Sequence, residues 1–297
     1  VALPSPIAFV LLLLEQLGSA GAGDSPWLGV TILALVQGLT EFLPVSSSGH
    51  LALTSEVLER SGNAVPEAGL ALNVVLHAGT LVAVAVVYGR DLVRMLTEAV
   101  RGNPRTLLLV GVGTVPAGLV GVFLKDRFEA LTEDATVSAV CLLVTAALLI
   151  AGERDRRARI EARGGLADAS GGRRVGFTDA ILIGLAQALA ILPGISRSGA
   201  TIATGLLRGL DAREAARFSF LLGFVAISGA AVLEVPDALA DDRSEPLRLL
   251  FGFVLSAVVG VAALRLLLVA LSKGAFVWFA LYCASVGTGW LLFFDRA

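Results

Sequence analysis

Apolar positions in this chain come in long blocks, and charge is confined almost wholly to the joints between them. Six blocks, at 69–88, 106–124, 135–152, 213–235, 247–271 and 275–294, approach or exceed the length of about 20 residues that a helix needs to cross about 30 Å of hydrocarbon. Glu234 and Arg265 are the clearest charges inside them. Two further blocks break differently. Residues 27–43 run into Pro44 and the polar stretch Ser46-Ser47-Ser48-Gly49-His50, and residues 177–192 run into Pro193-Gly194 and then Ser196-Arg197-Ser198-Gly199. Each resumes with a short apolar piece before charge returns, at Glu56 to Arg60 and at Arg208 to Arg213. Two half-length helices joined by a polar, glycine-bearing turn predict re-entrant hairpins at 27–60 and 177–208. Irregular backbone at membrane depth is tolerated only where it faces protein or a wet cavity, so both turns are candidate site material. The segment 7–17, within an N-terminal piece 1–26, is too short to span and reads as a peripheral or short first helix.

Composition fixes the class. Of 297 residues, 56% are hydrophobic and only 16% charged, with a mean hydropathy of +0.83. Soluble domains carry about 25% charged residues. The expectation is an all-α polytopic membrane protein, not a soluble enzyme or a disordered chain. With a net charge of -2 and no separate basic stripe, no nucleic-acid partner is expected. Cys141 and Cys283 lie far apart inside apolar runs and read as packed or lipid-facing side chains.

Loop charge sets the orientation. Arginines crowd 90–105, the long linker 153–176 and the connector 208–217, and Lys273 lies between the last two blocks; loops 125–134 and 236–246 are balanced or acidic. The positive-inside rule places the first group in the cytoplasm. Every span then alternates, hairpin 27–60 enters and leaves on the outer side, and hairpin 177–208 does so on the inner side.

An internal repeat agrees with this. Gln37 to Gly49 reads QGLTEFLPVSSSG and Gln187 to Gly199 reads QALAILPGISRSG, two windows 150 positions apart that share the initial Gln, a Leu two places on and a terminal Ser-x-Ser-Gly. Three spans follow each hairpin. The chain is therefore expected to form an inverted-topology repeat, each unit a re-entrant helix hairpin plus three transmembrane helices: repeat 1 over 27–152, a mobile cytoplasmic linker over 153–176, and repeat 2 over 177–297. In such folds the broken-helix tips meet near the midplane and form the site.

The tips supply Gln37, Glu41, Ser46, Ser47, Ser48 and His50 from one hairpin, and Ser196, Arg197, Ser198 and Thr201 from the other. Gln37 and Glu41, at i and i+4, share a helix face. An intramembrane carboxylate must be paired or wetted. Glu41 reads either as an anchor of the turn or as a base or hard-metal ligand suited to Mg²⁺ or Ca²⁺. Arg197, between two serines and before a glycine, offers a planar fork that suits a phosphate or diphosphate, or else a structural ion pair to Glu41. A helix beginning near Gly199 would aim its first N–H groups at the same anion. His50 could serve as nucleophile, acid or base. His77 reads first as a helix-packing polar residue, with contact to the site as the alternative. Small-residue pairs such as Gly118 and Gly121 are expected where helices approach closely, and the arginine run 154–163 reads as solvated loop.

At these two windows the sequence resembles the undecaprenyl-diphosphatase, or bacitracin-resistance, family, whose motifs are a Glu/Gln-rich stretch followed by PVSSxGH and a PGxSRSGxT stretch. Here they stand as Gln37 to His50 and Pro193 to Thr201, in the family's order and separation, and Glu214 to Phe220 adds to the likeness. The resemblance covers most of 27–294. It implies a multi-pass enzyme of the bacterial plasma membrane. Such an enzyme removes the terminal phosphate from a C55 isoprenyl diphosphate, with its site opening to the outer face. Many members carry Glu where this chain has Gln37, and a neutral amide weakens a two-carboxylate metal site.

On that basis the expected catalytic residues are Glu41, Ser47, His50 and Arg197. The expected phosphate-binding residues are Ser46, Ser196, Arg197, Ser198 and Thr201, with a divalent cation at Glu41 and Gln37. Ser47 is the favoured nucleophile with His50 as its proton acceptor. The competing function is a transporter or flippase that binds a lipid phosphate at the same tips without cleaving it. The sequence leaves a homodimer open.

Overall fold

The computed structural model describes residues 26–61, 69–123, 131, 134–162, 173–239 and 245–294, all helical or in turns between helices. The expected first helix at 7–17, and linker residues 163–172, lie outside that set. Ten long or hairpin helices follow in order: α1 Pro26–Thr40, α2 Ser47–Arg60, α3 Gly69–Val100, α4 Arg105–Phe123, α5 Ala135–Ala162, α6 Phe177–Leu189, α7 Arg197–Leu207, α8 Ala212–Leu239, α9 Pro246–Ser272 and α10 Phe276–Phe293. Within α3, α4, α5, α8, α9 and α10 lie stretches long and apolar enough to cross a membrane. The molecule is a polytopic membrane protein.

The two broken blocks fold as pairs of short helices. Their arms, α1 with α2 and α6 with α7, hold 15, 14, 13 and 11 residues. At 1.5 Å per residue such arms reach about 17–22 Å, short of the hydrocarbon thickness.

Two expected boundaries shift. α3 runs on to Val100 and α5 to Ala162, so the first ten residues of the expected linker are helical. Hydropathy marks where lipid ends, whereas Arg, Leu, Met and Glu sustain a helix already begun. The arginines of 154–159 are accordingly helical and not loop. Arg156 and Arg157 pair with buried Glu153 at 3.4 and 2.8 Å.

Helix packing follows a reciprocal pattern. α1 packs on α9, and α6 packs on α4. α2 and α7 both pack on α5, whose other face holds α10, while α3 contacts α8. One apolar core runs through these contacts from Phe42 and Phe220 to Leu142, Leu149 and Leu264. The close approach expected at Gly118 and Gly121 occurs elsewhere, since nothing lies within 4 Å of a Cβ at either. Instead α4 and α6 touch at Gly113 and Gly184, where a Cβ on Gly184 would stand 2.3 Å from the Gly113 carbonyl oxygen. Cys141 and Cys283 are free and buried, as packed side chains.

Candidate active site

Each hairpin turns through a serine that caps the second arm. Ser46 Oγ accepts from the Gly49 N–H at 3.3 Å and lies 3.3 Å from Ser48 Oγ. Ser196 Oγ accepts from the Gly199 N–H at 3.1 Å and lies 3.3 Å from Ser198 Oγ. The serine spacing shared by the two windows is therefore a pair of matching N-caps, and α7 starts at Arg197, two residues before the expected Gly199. Ser46 holds φ 72, a left-handed conformation that costs a non-glycine residue about 1–3 kcal/mol. At the second tip the left-handed residue is Gly194, φ 87, where a Cβ would stand 2.1 Å from the Ser138 carbonyl oxygen. Thr145 of α5 pins this tip, donating to the Gly194 carbonyl at 2.9 Å and accepting from the Ser196 N–H at 2.9 Å.

The tips touch. A Cβ on Gly49 would meet Gly194 Cα at 2.9 Å, and Ser198 Oγ donates to the Leu43 carbonyl at 3.2 Å. Across the junction Arg197 Nη2 donates to Glu41 Oε1 in a salt bridge between the hairpins. The other carboxylate oxygen, Oε2, accepts from Ser47 Oγ at 2.6 Å and Gln37 Nε2 at 3.1 Å. His77 Nε2 stands 3.8 Å from that same oxygen. Glu41 is buried, Ser47 and Arg197 partly so. Together with Ser46, Ser48, His77, Ser196 and four apolar residues they line a cavity of about 180 Å³. The first residues of α2 and α7 face it, an arrangement that favours an anion.

Several expected residues stand elsewhere. His50 is not the partner of Ser47. Its Nδ1 donates to the Ser46 carbonyl at 2.8 Å, which leaves Nε2 to accept from Tyr282 Oη at 2.8 Å, and its ring stacks on Tyr282. No hydrogen bond joins His50 to Ser47 among the described residues; the hydroxyl faces Glu41 instead. Ser198 and Thr201 also turn away from the cavity. Thr201 Oγ1 donates to the Arg197 carbonyl at 2.7 Å and meets Ser219 Oγ at 2.6 Å, buried against α8. Helical phase after the Ser196 cap puts both on the packed face. For His77 the alternative reading holds: from α3 it reaches the site. Gly223, Tyr282 and Thr145 carried no sequence signal. A Cβ at Gly223 would fall 1.8 Å from Arg197 Nη1, so only glycine leaves room for the guanidinium against α8.

For a cation the donors are few. No group of three His, Cys, Asp or Glu residues exists among the described residues. Glu41 is one carboxylate with both oxygens engaged by protein donors, and buried Gln37 Oε1 is an acceptor without a partner. A Mg²⁺ there would have to draw most of its shell from water and substrate phosphates.

The site is thus that of a multi-pass helical membrane protein in which a buried carboxylate, a hydroxyl and a guanidinium converge on one small cavity suited to an anion. Comparison with known proteins narrows this. Residues 30–289 match the family described as bacitracin resistance protein BacA, and the chain belongs to that family. It is 37% identical over 279 residues to the undecaprenyl-diphosphatase of Methanosphaera stadtmanae, covering 88% of this chain and 95% of that protein. It is 40% identical to the enzyme of the same name from Desulfatibacillum aliphaticivorans (88% and 96% covered) and 41% identical to that of Rubrobacter xylanophilus (86% and 93%).

Proposed function

We propose that the chain is an integral-membrane phosphatase that hydrolyses undecaprenyl diphosphate to undecaprenyl phosphate and inorganic phosphate, returning the lipid carrier for cell-wall synthesis. Family membership and the names of the relatives support the reaction. The observation that carries the site assignment is the double engagement of Glu41, by the Ser47 hydroxyl at one oxygen and the Arg197 guanidinium at the other.

The residues divide the work as follows. Without substrate, Arg197 neutralises Glu41. A diphosphate entering the cavity competes for the guanidinium, whose fork matches phosphoryl oxygens, and the first turns of α2 and α7 add backbone N–H groups. Ser47 Oγ attacks the terminal phosphorus and its proton passes to Glu41. The bond from that phosphorus to the bridging oxygen breaks, and undecaprenyl phosphate leaves. Water then hydrolyses the phosphoserine, releasing inorganic phosphate and restoring the Ser47 hydroxyl. Charge developing on the transferred group falls to Arg197. His50, locked by Ser46 and Tyr282, holds the start of α2 in place. A Mg²⁺ held by Glu41 and Gln37 would screen the diphosphate charge.

The two halves, 27–152 and 177–297, form in this reading an inverted-topology repeat, which the reciprocal packing of α1 on α9 and α6 on α4 supports. The arginine-rich ends then face the cytoplasm of a bacterial cell and the hairpin site opens outward. A homodimer is compatible with this arrangement.

The test is phosphate release from undecaprenyl diphosphate by the purified full chain in detergent, where no gradient exists. An enzyme releases phosphate there; a carrier that binds without cleaving releases none, and that result would refute the proposal.

A further inference from the structure

A second and larger cavity, about 1070 Å³, lies away from the hairpin tips. The ends of α3, α5 and α9 and the starts of α4 and α8 meet around it, so Arg94, Arg105, Arg156, Arg174, Arg213 and Arg217 border one space. Six arginines and four carboxylates line it. Arg217 is neutralised by Asp91 at 2.7 Å and Glu214 at 3.4 Å. Arg94, Arg174 and Arg213 are exposed and have no ion pair among the described residues. The same lining holds an apolar part, with Leu109 and Phe218 buried and Leu268 partly buried. Between this space and the hairpin site stand packed rings: Tyr88 of the cavity wall lies against Phe220 at 5.5 Å, and Phe220 against Phe42, next to Glu41, at 5.9 Å. The two cavities share no lining residue.

Exposed guanidinium groups and buried apolar side chains in one lining match an amphiphile with an anionic head. Basic pockets between transmembrane helices are suited to phospholipid headgroups. Arginine grips phosphate oxygens through paired N–H groups, and an apolar lining suits the first methylenes of acyl chains. We propose that this cavity is a binding site for an anionic phospholipid of the leaflet on the arginine-rich side, with Arg94, Arg174 and Arg213 holding its phosphate. The site does not depend on the chemistry assigned to the hairpin tips.

The test uses the full chain, delipidated in detergent. It is offered phosphatidylglycerol, phosphatidylcholine or inorganic phosphate, with bound molecules counted by native mass spectrometry. Wild type retains phosphatidylglycerol in preference to phosphatidylcholine. At about fivefold per arginine, the triple variant Arg94→Gln, Arg174→Gln, Arg213→Gln loses about a hundredfold of that affinity. Its phosphate release from undecaprenyl diphosphate in detergent stays within about twofold of wild type. If the triple variant does not fold, Arg94→Gln and Arg213→Gln alone each show the fivefold loss. Equal retention of the two lipids by wild type would overturn the proposal. So would an unchanged preference in the folded variants, or binding of inorganic phosphate without any preference for the anionic lipid. A chain that retains phosphatidylglycerol but releases no phosphate would refute the phosphatase reading alone.

Discussion

Arg197 and Glu41 stand 156 positions apart in the chain and meet as an ion pair where the two hairpin tips touch. Each is costly alone in a membrane interior, and each removes the other's unpaired charge. The pair joins the hairpins and, in the mechanism proposed above, also holds the phosphate-binding group on the base. Substrate would then exchange one oxyanion for another at the guanidinium.

Ser47 is expected to be the nucleophile. Ser47→Ala should lower phosphate release by at least about 10³-fold, the scale seen when a covalent nucleophile is removed. A quenched turnover of wild type should yield phosphoserine at residue 47 by peptide mapping. A phosphohistidine at His50, or full activity in Ser47→Ala, would reassign the attack.

Gly223 has no polar group, yet its lack of a side chain makes space for Arg197. Gly223→Ala would push the guanidinium aside. A displacement of about 1 Å at a positioned group can cost on the order of 10²-fold in rate. We expect that loss in kcat with little change in melting temperature, because alanine favours the helix. Unaltered kcat would show that Arg197 has freedom to move.

Thr145 fastens the second tip through two hydrogen bonds to irregular backbone. Thr145→Val keeps the shape and removes both, leaving the buried Ser196 N–H without its acceptor. The expected cost is about 1–3 kcal/mol, read as a lower melting temperature in detergent, with activity falling as well. Thr145→Ser should restore both.

Much of the fold was legible because membranes impose few solutions: apolar runs of spanning length became spanning helices, and runs broken by Pro44 or by Pro193 and Gly194 became hairpins. The meeting of Glu41 and Arg197 was legible too, since a carboxylate and a guanidinium at membrane depth need partners. Residues whose importance comes from packing were hidden. His77 read first as a packing residue, with site contact as the alternative, and only the approach of α3 to Glu41 decides for the alternative. Nothing marked Gly223 among so many membrane glycines. His50, near Ser47 in sequence, turned instead toward Tyr282 on α10, because a helix three residues on presents a different direction.

A double-mutant cycle on phosphate release by the purified full chain tests the shared site most directly. Glu41→Gln and Arg197→Ala are each expected to lower kcat by about 10²–10³-fold. The double variant should fall little further than either one, as residues acting as a unit do. Losses that multiply, or single variants with near-normal turnover, would contradict the claim that the two hairpins build one catalytic centre.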